Sequence, residues 1–109
     1  MRRGAVHWVT LDKRRPAIVL SPDVRNRLAN DVIIAPCSAA ARRMPWHVHL
    51  RRGEAGLPQA CLVKCEQIAT VPGSWVEPAE LGRLSAGRMR EIELAVLSAL
   101  GILVPGTGA

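Results

Sequence analysis

The chain has 109 residues, of which 49% are hydrophobic and 22% are charged, and it carries a net charge of +6. This length suits one small domain, so we expect residues 1–109 to fold as a single unit, and the composition excludes wholesale disorder. No apolar run approaches the roughly 18 residues that a membrane span needs, and no apolar segment follows the first two arginines, which argues against a membrane protein and against a secretory signal.

Apolar runs rich in β-branched residues predict strands along most of the chain. In chain order these runs cover residues 5–11, 16–21, 31–37, 46–50, 59–65 and 67–71. The polar residues 23–30 predict a loop with one helical turn, and residues 72–80 predict a second loop because they contain Pro72, Gly73 and Pro78. Most of the fold is therefore expected to be β-sheet.

One amphipathic helix follows the strands. Ser85 is a suitable N-cap for a helix over residues 86–100. Its apolar stripe, at a spacing of three or four residues, consists of Met89, Ile92, Val96, Ala99 and Leu103. Residues 105–109 form a short tail rich in Gly and Pro that we expect to be flexible. The pattern predicts a mainly β fold of the α+β class, a small barrel with the helix packed on its outside.

Positive charge is concentrated in the first half of the chain. Residues 1–52 hold 11 Lys and Arg against three Asp, whereas residues 53–109 hold four basic and six acidic residues. Most of the basic residues are Arg, whose fork binds phosphate through two hydrogen bonds. This pattern indicates a phosphate-bearing partner, although a solvated basic face has the same composition. The absence of Phe and Tyr argues against sheets that stack RNA bases on aromatic rings.

Three cysteines, Cys37, Cys61 and Cys65, show no pairing pattern, which favours a reducing, cytoplasmic compartment. Cys61 and Cys65 lie four residues apart, and a zinc site that includes His47 and His49 is conceivable. No C-x2-C unit is present, so the favoured interpretation is that these cysteines are small buried hydrophobic residues.

Four short segments form a specific combination. They are RRPAIVLS at 14–21, VIIAPCS at 32–38, CEQIATV at 65–71 and LGRLS at 81–85. Each segment is weak evidence by itself. Together and in this order they resemble the MazF/PemK/Kid family of toxins from toxin–antitoxin systems, and the resemblance covers nearly the whole chain.

The resemblance implies an SH3-like barrel that forms a homodimer and acts as a sequence-specific endoribonuclease on single-stranded RNA. Members of this family need no metal ion or other cofactor. The 2′-OH of the RNA is the nucleophile, so the products are a 2′,3′-cyclic phosphate and a 5′-OH. The resemblance further implies mRNA, tRNA or rRNA as substrate, inhibition of translation and growth, and neutralisation by a cognate antitoxin, with which the toxin binds DNA. No membrane partner is expected.

Four residues are candidates for catalysis. The reaction needs a base for the 2′-OH, a cation for the phosphorane and an acid for the 5′-oxygen. By resemblance, Arg15 is the catalytic arginine, and Ser38 stands where the family usually has a threonine. Lys64 and Glu66 stand where some members have Arg and Asp, and a spacing of two places both on one face of a strand. Ordinary ion pairs and a strand-end hydroxyl are the structural alternatives.

A second set of residues is expected to bind RNA. It consists of Lys13, Arg14, Arg25, Asn26, Arg27, Arg42, Arg43, Trp46 and Gln67. Arginine forks suit phosphate oxygens, and amides suit base edges. Two members have structural alternatives, because Asn26 is a common turn residue and Trp46 is equally compatible with a core position.

The connection between the first two strands departs from the family pattern. Relatives have a longer loop there, often with a Glu or a His, whereas this chain retains only Asp12, Lys13 and Arg14. We therefore expect the acidic or His contribution of that loop to be absent. A shorter loop also predicts a wider groove that admits structured RNA such as tRNA loops.

Two other functions fit the same barrel. The first is a CcdB-like toxin that poisons gyrase, whose helix would end in a Trp-Gly-Ile tail, but residues 101–104 lack the Trp. The second is a non-catalytic, basic RNA-binding barrel, which would bind RNA and leave it intact.

Overall fold

The computed structural model describes residues 1–39 and 42–103, so the tail predicted at 105–109 lies outside the described residues. The described part is built mainly of strands, with two α-helices, the first of them short, and two 3-10 turns. In chain order the elements are β1 (Ala5–Thr10), β2 (Arg14–Val19), α1 (Asp23–Leu28), β3 (Asp31–Ser38), β4 (His47–Leu50), a 3-10 turn (Glu54–Gly56), β5 (Cys61–Lys64), β6 (Ala69–Pro72), a second 3-10 turn (Gly73–Trp75), β7 (Val76–Arg83) and α2 (Ala86–Ala99). The predicted α+β class is confirmed.

All strand pairs are antiparallel, and they follow the order β4-β5-β3-β2-β1-β7. Strand β6 pairs with the first half of β3, through residues 31–34. β3 is the central strand because it contacts β2, β5 and β6, which agrees with its nearly continuous apolar sequence. In the described ranges β4 and β7 do not pair with each other, so hydrogen bonds do not close the sheet into a complete barrel.

Strand β7 corrects the prediction of a loop over residues 72–80. It pairs with β1 through a register that shifts twice. No other strand of the described part pairs with β7, so it is an edge strand. An edge strand tolerates Pro78 because the missing N–H is not needed by a second neighbour. The Pro and Gly residues therefore mark the 3-10 turn at Gly73–Trp75 and an irregular edge, rather than a long loop.

Helix α2 packs against the sheet. The Ser85 hydroxyl accepts a hydrogen bond from a backbone N–H of the first turn at 3.2 Å, which makes Ser85 the N-cap. The buried residues of the helix are Met89, Ile92 and Ala95. The predicted stripe is therefore wrong at its end, because Leu103 lies beyond the helix and is 75% exposed. No helix in the described ranges has the length and apolar character to cross a membrane.

The three cysteines are buried, free thiols within the larger of two apolar clusters. This cluster fills the space between α2 and the sheet, and it also contains Val6, Ile18 and Leu50. Among residues 1–39 and 42–103, no three His, Cys, Asp or Glu side chains are grouped as ligands for a metal ion. The cysteines of this part of the chain thus serve the packing role that the sequence favoured.

Candidate active site

A cleft of about 320 Å³ lies where β2, β3 and β5 come together. Its lining consists of Leu11, Asp12, Arg15, Ile34, Pro36, Cys37, Ser38, Lys64, Gln67 and Ala69. Three of the four predicted catalytic residues, Arg15, Ser38 and Lys64, are therefore brought together from separate strands. Gln67, a predicted RNA contact, lines the same cleft.

The pairing of β3 explains this convergence. β3 pairs with β2 through Pro36 and Ala17, and with β5 through Ser38 and Leu62. Arg15 precedes Ala17 by two residues, so it lies alongside the last part of β3. Ser38 ends β3, and Lys64 ends β5. Strands β2 and β5, which flank this part of β3, thus place the Arg15 guanidinium and the Lys64 ammonium near the end of β3.

Arg15 is held by Asp12 of the short β1–β2 connection. Its Nε and Nη2 donate to the two carboxylate oxygens of Asp12, each at 2.9 Å. These hydrogen bonds hold the pKa of the Asp12 carboxyl well below its ordinary value and raise the pKa of Arg15. The expectation that this connection contributes no acidic group is therefore wrong, because Asp12 lines the cleft. An acid three residues before the arginine, across a tight turn, is the sequence signal that indicates this pair.

Ser38 and Lys64 are half-buried. Within residues 1–39 and 42–103, neither the Ser38 hydroxyl nor the Lys64 ammonium forms a hydrogen bond or an ion pair with another group. A hydroxyl and an ammonium in this state can each donate to a phosphate oxygen.

Glu66 lies outside the lining of this cleft, which corrects the prediction that it shares one face of a strand with Lys64. β5 ends at Lys64, and the chain turns there, since the Gln67 N–H donates to the Lys64 carbonyl at 2.9 Å. The alternation of a strand therefore no longer applies at Glu66. Its carboxylate instead accepts hydrogen bonds from Trp46 Nε1 at 2.5 Å and from His47 Nε2 at 2.8 Å.

The contacts of Glu66 fasten the segment before β4 to the turn after β5. The Met44 N–H donates to His47 Nδ1 at 3.1 Å, which assigns the remaining ring proton to Nε2, the atom that faces Glu66. Burial acts to raise the pKa of Glu66, but the hydrogen bonds from His47 and Trp46 outweigh it and leave that pKa below its ordinary value. A carboxylate engaged in this way is a poor general base. The indole N–H of Trp46 is likewise committed to Glu66.

Lys13 and Arg14 line a second cleft of about 210 Å³, which adjoins the first because Arg15 and Cys37 border both. Lys13 is exposed. Arg14, in contrast, pairs with Glu77 through two hydrogen bonds of 2.5 and 2.8 Å. Its guanidinium carbon also lies 4.1 Å from the ring centroid of Trp8. Lys13 is thus the freer of the two cations beside the site.

Helix α1 holds three predicted RNA contacts, and none of them lines the cleft. Arg25 Nη2 pairs with Asp31 Oδ1 at 2.8 Å. Asp31 begins β3 and Ser38 ends it, which separates them by about 23 Å at the usual rise of a strand. Asn26 donates to the Ser21 carbonyl at 2.9 Å and accepts from the Ser21 hydroxyl at 2.5 Å. Asn26 therefore has the structural turn role that the sequence left open.

The remaining predicted cations, Arg27, Arg42 and Arg43, are exposed. Arg43 borders a wider cleft of about 640 Å³ between β4 and α2, which also includes His49, Arg51 and Arg88. None of the three lines the cleft that contains Arg15.

The chain is similar in sequence to known toxins. Residues 2–100 match the family model described as PemK-like, MazF-like toxin of type II toxin-antitoxin system. The protein named probable endoribonuclease MazF5 of Mycobacterium tuberculosis is 33% identical over 92 residues, which cover 83% of this chain and 84% of that protein. Endoribonuclease MazF3 of the same species is 28% identical over 96 residues, or 88% and 87% of the two chains.

Solved structures of related proteins share the fold. Mycobacterium tuberculosis toxin MazF-mt6 is 25% identical, covers 92% of this chain and 99% of its own, and superimposes with a TM-score of 0.84. A mycobacterial endoribonuclease in complex with its cognate antitoxin is also 25% identical, with coverage of 96% and 99% and a TM-score of 0.83. These similarities confirm the resemblance, the fold class and endoribonuclease as the enzyme class. The chain belongs to the PemK-like, MazF-like toxin family of type II toxin–antitoxin systems.

Proposed function

We propose that this chain is a toxin that cleaves single-stranded RNA at a specific sequence, without a metal ion, in the cleft of Arg15, Ser38 and Lys64. The observation that carries the proposal is the convergence of these three donors, from three strands, in one cleft. Membership of the family and the names of the relatives, which are endoribonucleases, support the reaction class.

In the proposed reaction the ribose 2′-oxygen attacks the adjacent phosphorus, and the bond from phosphorus to the 5′-oxygen breaks. The Arg15 fork neutralises the charge that develops on the non-bridging oxygens, and Ser38 donates a hydrogen bond to one of them. Lys64 donates a proton to the leaving 5′-oxygen. The products are a 2′,3′-cyclic phosphate and a 5′-OH. The proton of the 2′-OH passes to solvent water in the open cleft, because the other polar groups of the lining are Gln67, which is not a base, and Asp12, which is paired with Arg15.

The path of the RNA follows from the two adjoining clefts. Both clefts border Arg15. An RNA strand whose scissile phosphate lies at Arg15 therefore extends past Lys13 on one side and past Gln67 on the other. Lys13 suits a phosphate contact, and the Gln67 amide suits a base edge. Arg25 and Asn26 are left out of this path because their side chains are engaged at the opposite end of β3.

We also propose a homodimer that a cognate antitoxin neutralises in the cytoplasm. The mycobacterial relative solved with its cognate antitoxin supports the antitoxin partner. Exposed apolar side chains follow the end of α2, at Leu100, Ile102 and Leu103, and support an interface with a second protein there. Light scattering of the purified chain is expected to give twice its mass of 11.8 kDa.

Cleavage of a long RNA in EDTA tests the proposal. We expect cuts at a recurring short sequence, and the downstream fragments are expected to carry a 5′-OH. RNA that is bound but stays intact in every buffer would contradict the proposal and favour the non-catalytic barrel. A separate assay with supercoiled DNA, gyrase, ATP and Mg²⁺ tests the CcdB-like alternative, which DNA breaks there, together with intact RNA in the first assay, would favour. A parallel reaction with folded tRNA shows whether the short β1–β2 connection admits structured RNA.

A further inference from the structure

Asp12 contacts only one edge of the Arg15 guanidinium. It accepts from Nε and Nη2, each at 2.9 Å. A guanidinium has five N–H donors, so the Nη1 hydrogens and the second Nη2 hydrogen stay available. Both residues line the cleft that contains Ser38 and Lys64. Asp12 therefore occupies the edge of the guanidinium formed by Nε and Nη2, and the end formed by Nη1 and the second Nη2 hydrogen stays available for a phosphate.

The short β1–β2 connection gives Asp12 a defined position. Only residues 11–13 join the two strands, and the Leu11 N–H donates to the Lys13 carbonyl at 3.0 Å. Within the described residues, Asp12 is the sole hydrogen-bond partner of the Arg15 side chain. Since an arginine side chain has many rotamers, its direction in the cleft depends on this partner.

We propose that Asp12 is a positioning residue, which fixes the Arg15 guanidinium so that its free end faces the scissile phosphate. The inference rests on the proposed function of this cleft. It also assigns Asp12 a role other than that of the base. Because the hydrogen bonds from Arg15 lower the pKa of Asp12, its carboxylate has less tendency to accept a proton than a free aspartate.

The proposal predicts that removal of Asp12 has opposite effects on the affinity for RNA and on the rate of cleavage. The Asp12 charge lies in a cleft that must accept an anion, so its removal favours the binding of RNA. Its removal also releases Arg15 from the orientation that stabilises the phosphorane. In the variant Asp12→Ala, which removes both the charge and the hydrogen-bond acceptor, we therefore expect kcat to fall at least tenfold, while Kd for a 2′-O-methylated, uncleavable RNA stays the same or decreases. Asp12→Glu keeps the charge and is expected to recover most of kcat.

Glu80→Gln is the matched control, because Glu80 is also an exposed acid paired with an arginine, Arg2, but lies on β7 outside the cleft. We expect its kcat and Kd to equal those of the wild type. An NMR readout that is independent of activity follows the Arg15 Nε–H, whose exchange with water should be slowed in the wild type and in Glu80→Gln, but not in Asp12→Ala.

Three results would overturn the proposal. An unchanged kcat with tighter binding would make Asp12 a competing anion only. A fall in kcat together with loss of the acidic limb of the pH profile would make it the base. A parallel loss of kcat, binding and thermal stability would make it merely structural. Failure of the wild type itself to cleave RNA would refute the proposed function, whereas the NMR comparison would still show whether Asp12 orders Arg15.

Discussion

Arg14 and Arg15 are adjacent in sequence, but their surroundings differ. Successive residues of a strand point to opposite faces. Arg14 packs over Trp8 and pairs with Glu77, whereas Arg15 lines the cleft with its fork only partly occupied. The family pattern predicted the role of Arg15. It gave no reason to expect that Arg14 is already neutralised, because Glu77 is far away in the sequence.

Ser38 provides the first test at the residue scale. Its hydroxyl is proposed to stabilise a charged oxygen in the transition state, and loss of one such donor costs about 100-fold in kcat. We expect Ser38→Ala to show this loss in single-turnover cleavage, and Ser38→Thr to retain most of the rate because it keeps the hydroxyl. Equal rates for the wild type and Ser38→Ala would remove Ser38 from the proposed mechanism.

Glu66 provides the second test, because its contacts indicate a structural role. Glu66→Gln keeps an acceptor for Trp46 or His47 but is not a base. We expect kcat within about threefold of the wild type and a loss of about 1 kcal/mol in the free energy of unfolding, the usual scale for a lost hydrogen bond. Urea unfolding and single-turnover cleavage measure the two quantities. The structural assignment fails if kcat drops by a factor of 100 while stability is unchanged.

At the scale of elements, the sequence predicted the apolar strands well and the irregular edge poorly. Residues 5–11 predicted β1, and residues 31–37 predicted β3, each within one residue of the observed bounds. These strands are buried, so their apolar pattern is strong. Among the strands of the described ranges, β7 pairs with β1 alone and is largely exposed, so its sequence has no such pattern. The predicted position of Glu66 was wrong for a related reason, because no pattern in the sequence marked the end of β5 at Lys64.

The contact between β7 and the 3-10 turn at Glu54–Gly56 provides a test at this scale. A Cβ on Gly82 would lie 2.5 Å from the carbonyl carbon and oxygen of Ala55, which are backbone atoms. We expect Gly82→Ala to lower the free energy of unfolding by about 2 kcal/mol, as overpacking does.

Gly87→Ala is the control for this test. Gly87 lies in α2, where a Cβ would meet only the Ser85 hydroxyl at 3.9 Å. Alanine in an unstrained helical position favours the folded state, so we expect a small gain in stability, about 0.5 kcal/mol. Urea unfolding of both variants gives the comparison. A Gly82→Ala variant as stable as the wild type would show that this backbone contact is not tight.

At the scale of the whole molecule, folding brings arginines of the basic first half of the sequence next to acids of the second half. Arg2, Arg3 and Arg14 of the basic half pair with acids of the second half, namely Glu80, Glu93 and Glu77. Within the described residues, the cations of the basic half without an acidic partner are Lys13, Arg27, Arg42, Arg43, Arg51 and Arg52. The basic half therefore overstates the surface available to phosphate, because only the fold shows which arginines are neutralised.

The salt dependence of RNA binding tests this distribution. Each phosphate that a cation contacts on single-stranded RNA adds about 0.7 to the slope of log Kd against log salt concentration. With a 2′-O-methylated RNA, we expect Arg15→Ala to lower the slope by about that amount, and Arg2→Ala, which removes an arginine outside both clefts, to leave it unchanged. Equal slopes for both variants would contradict a phosphate contact at Arg15.

The cleft around Arg15 is proposed to perform the cleavage, and single-turnover rates in EDTA measure how much of that cleavage depends on it. The comparison uses wild type, Arg15→Ala and the control Arg83→Ala, since Arg83 is an exposed arginine that pairs with Ala5 at the start of β1, the end away from the cleft. We predict that Arg15→Ala loses at least 100-fold in rate with an unchanged melting temperature, and that Arg83→Ala cleaves like the wild type. A cleavage rate of Arg15→Ala equal to that of the wild type would contradict the assignment of cleavage to this cleft.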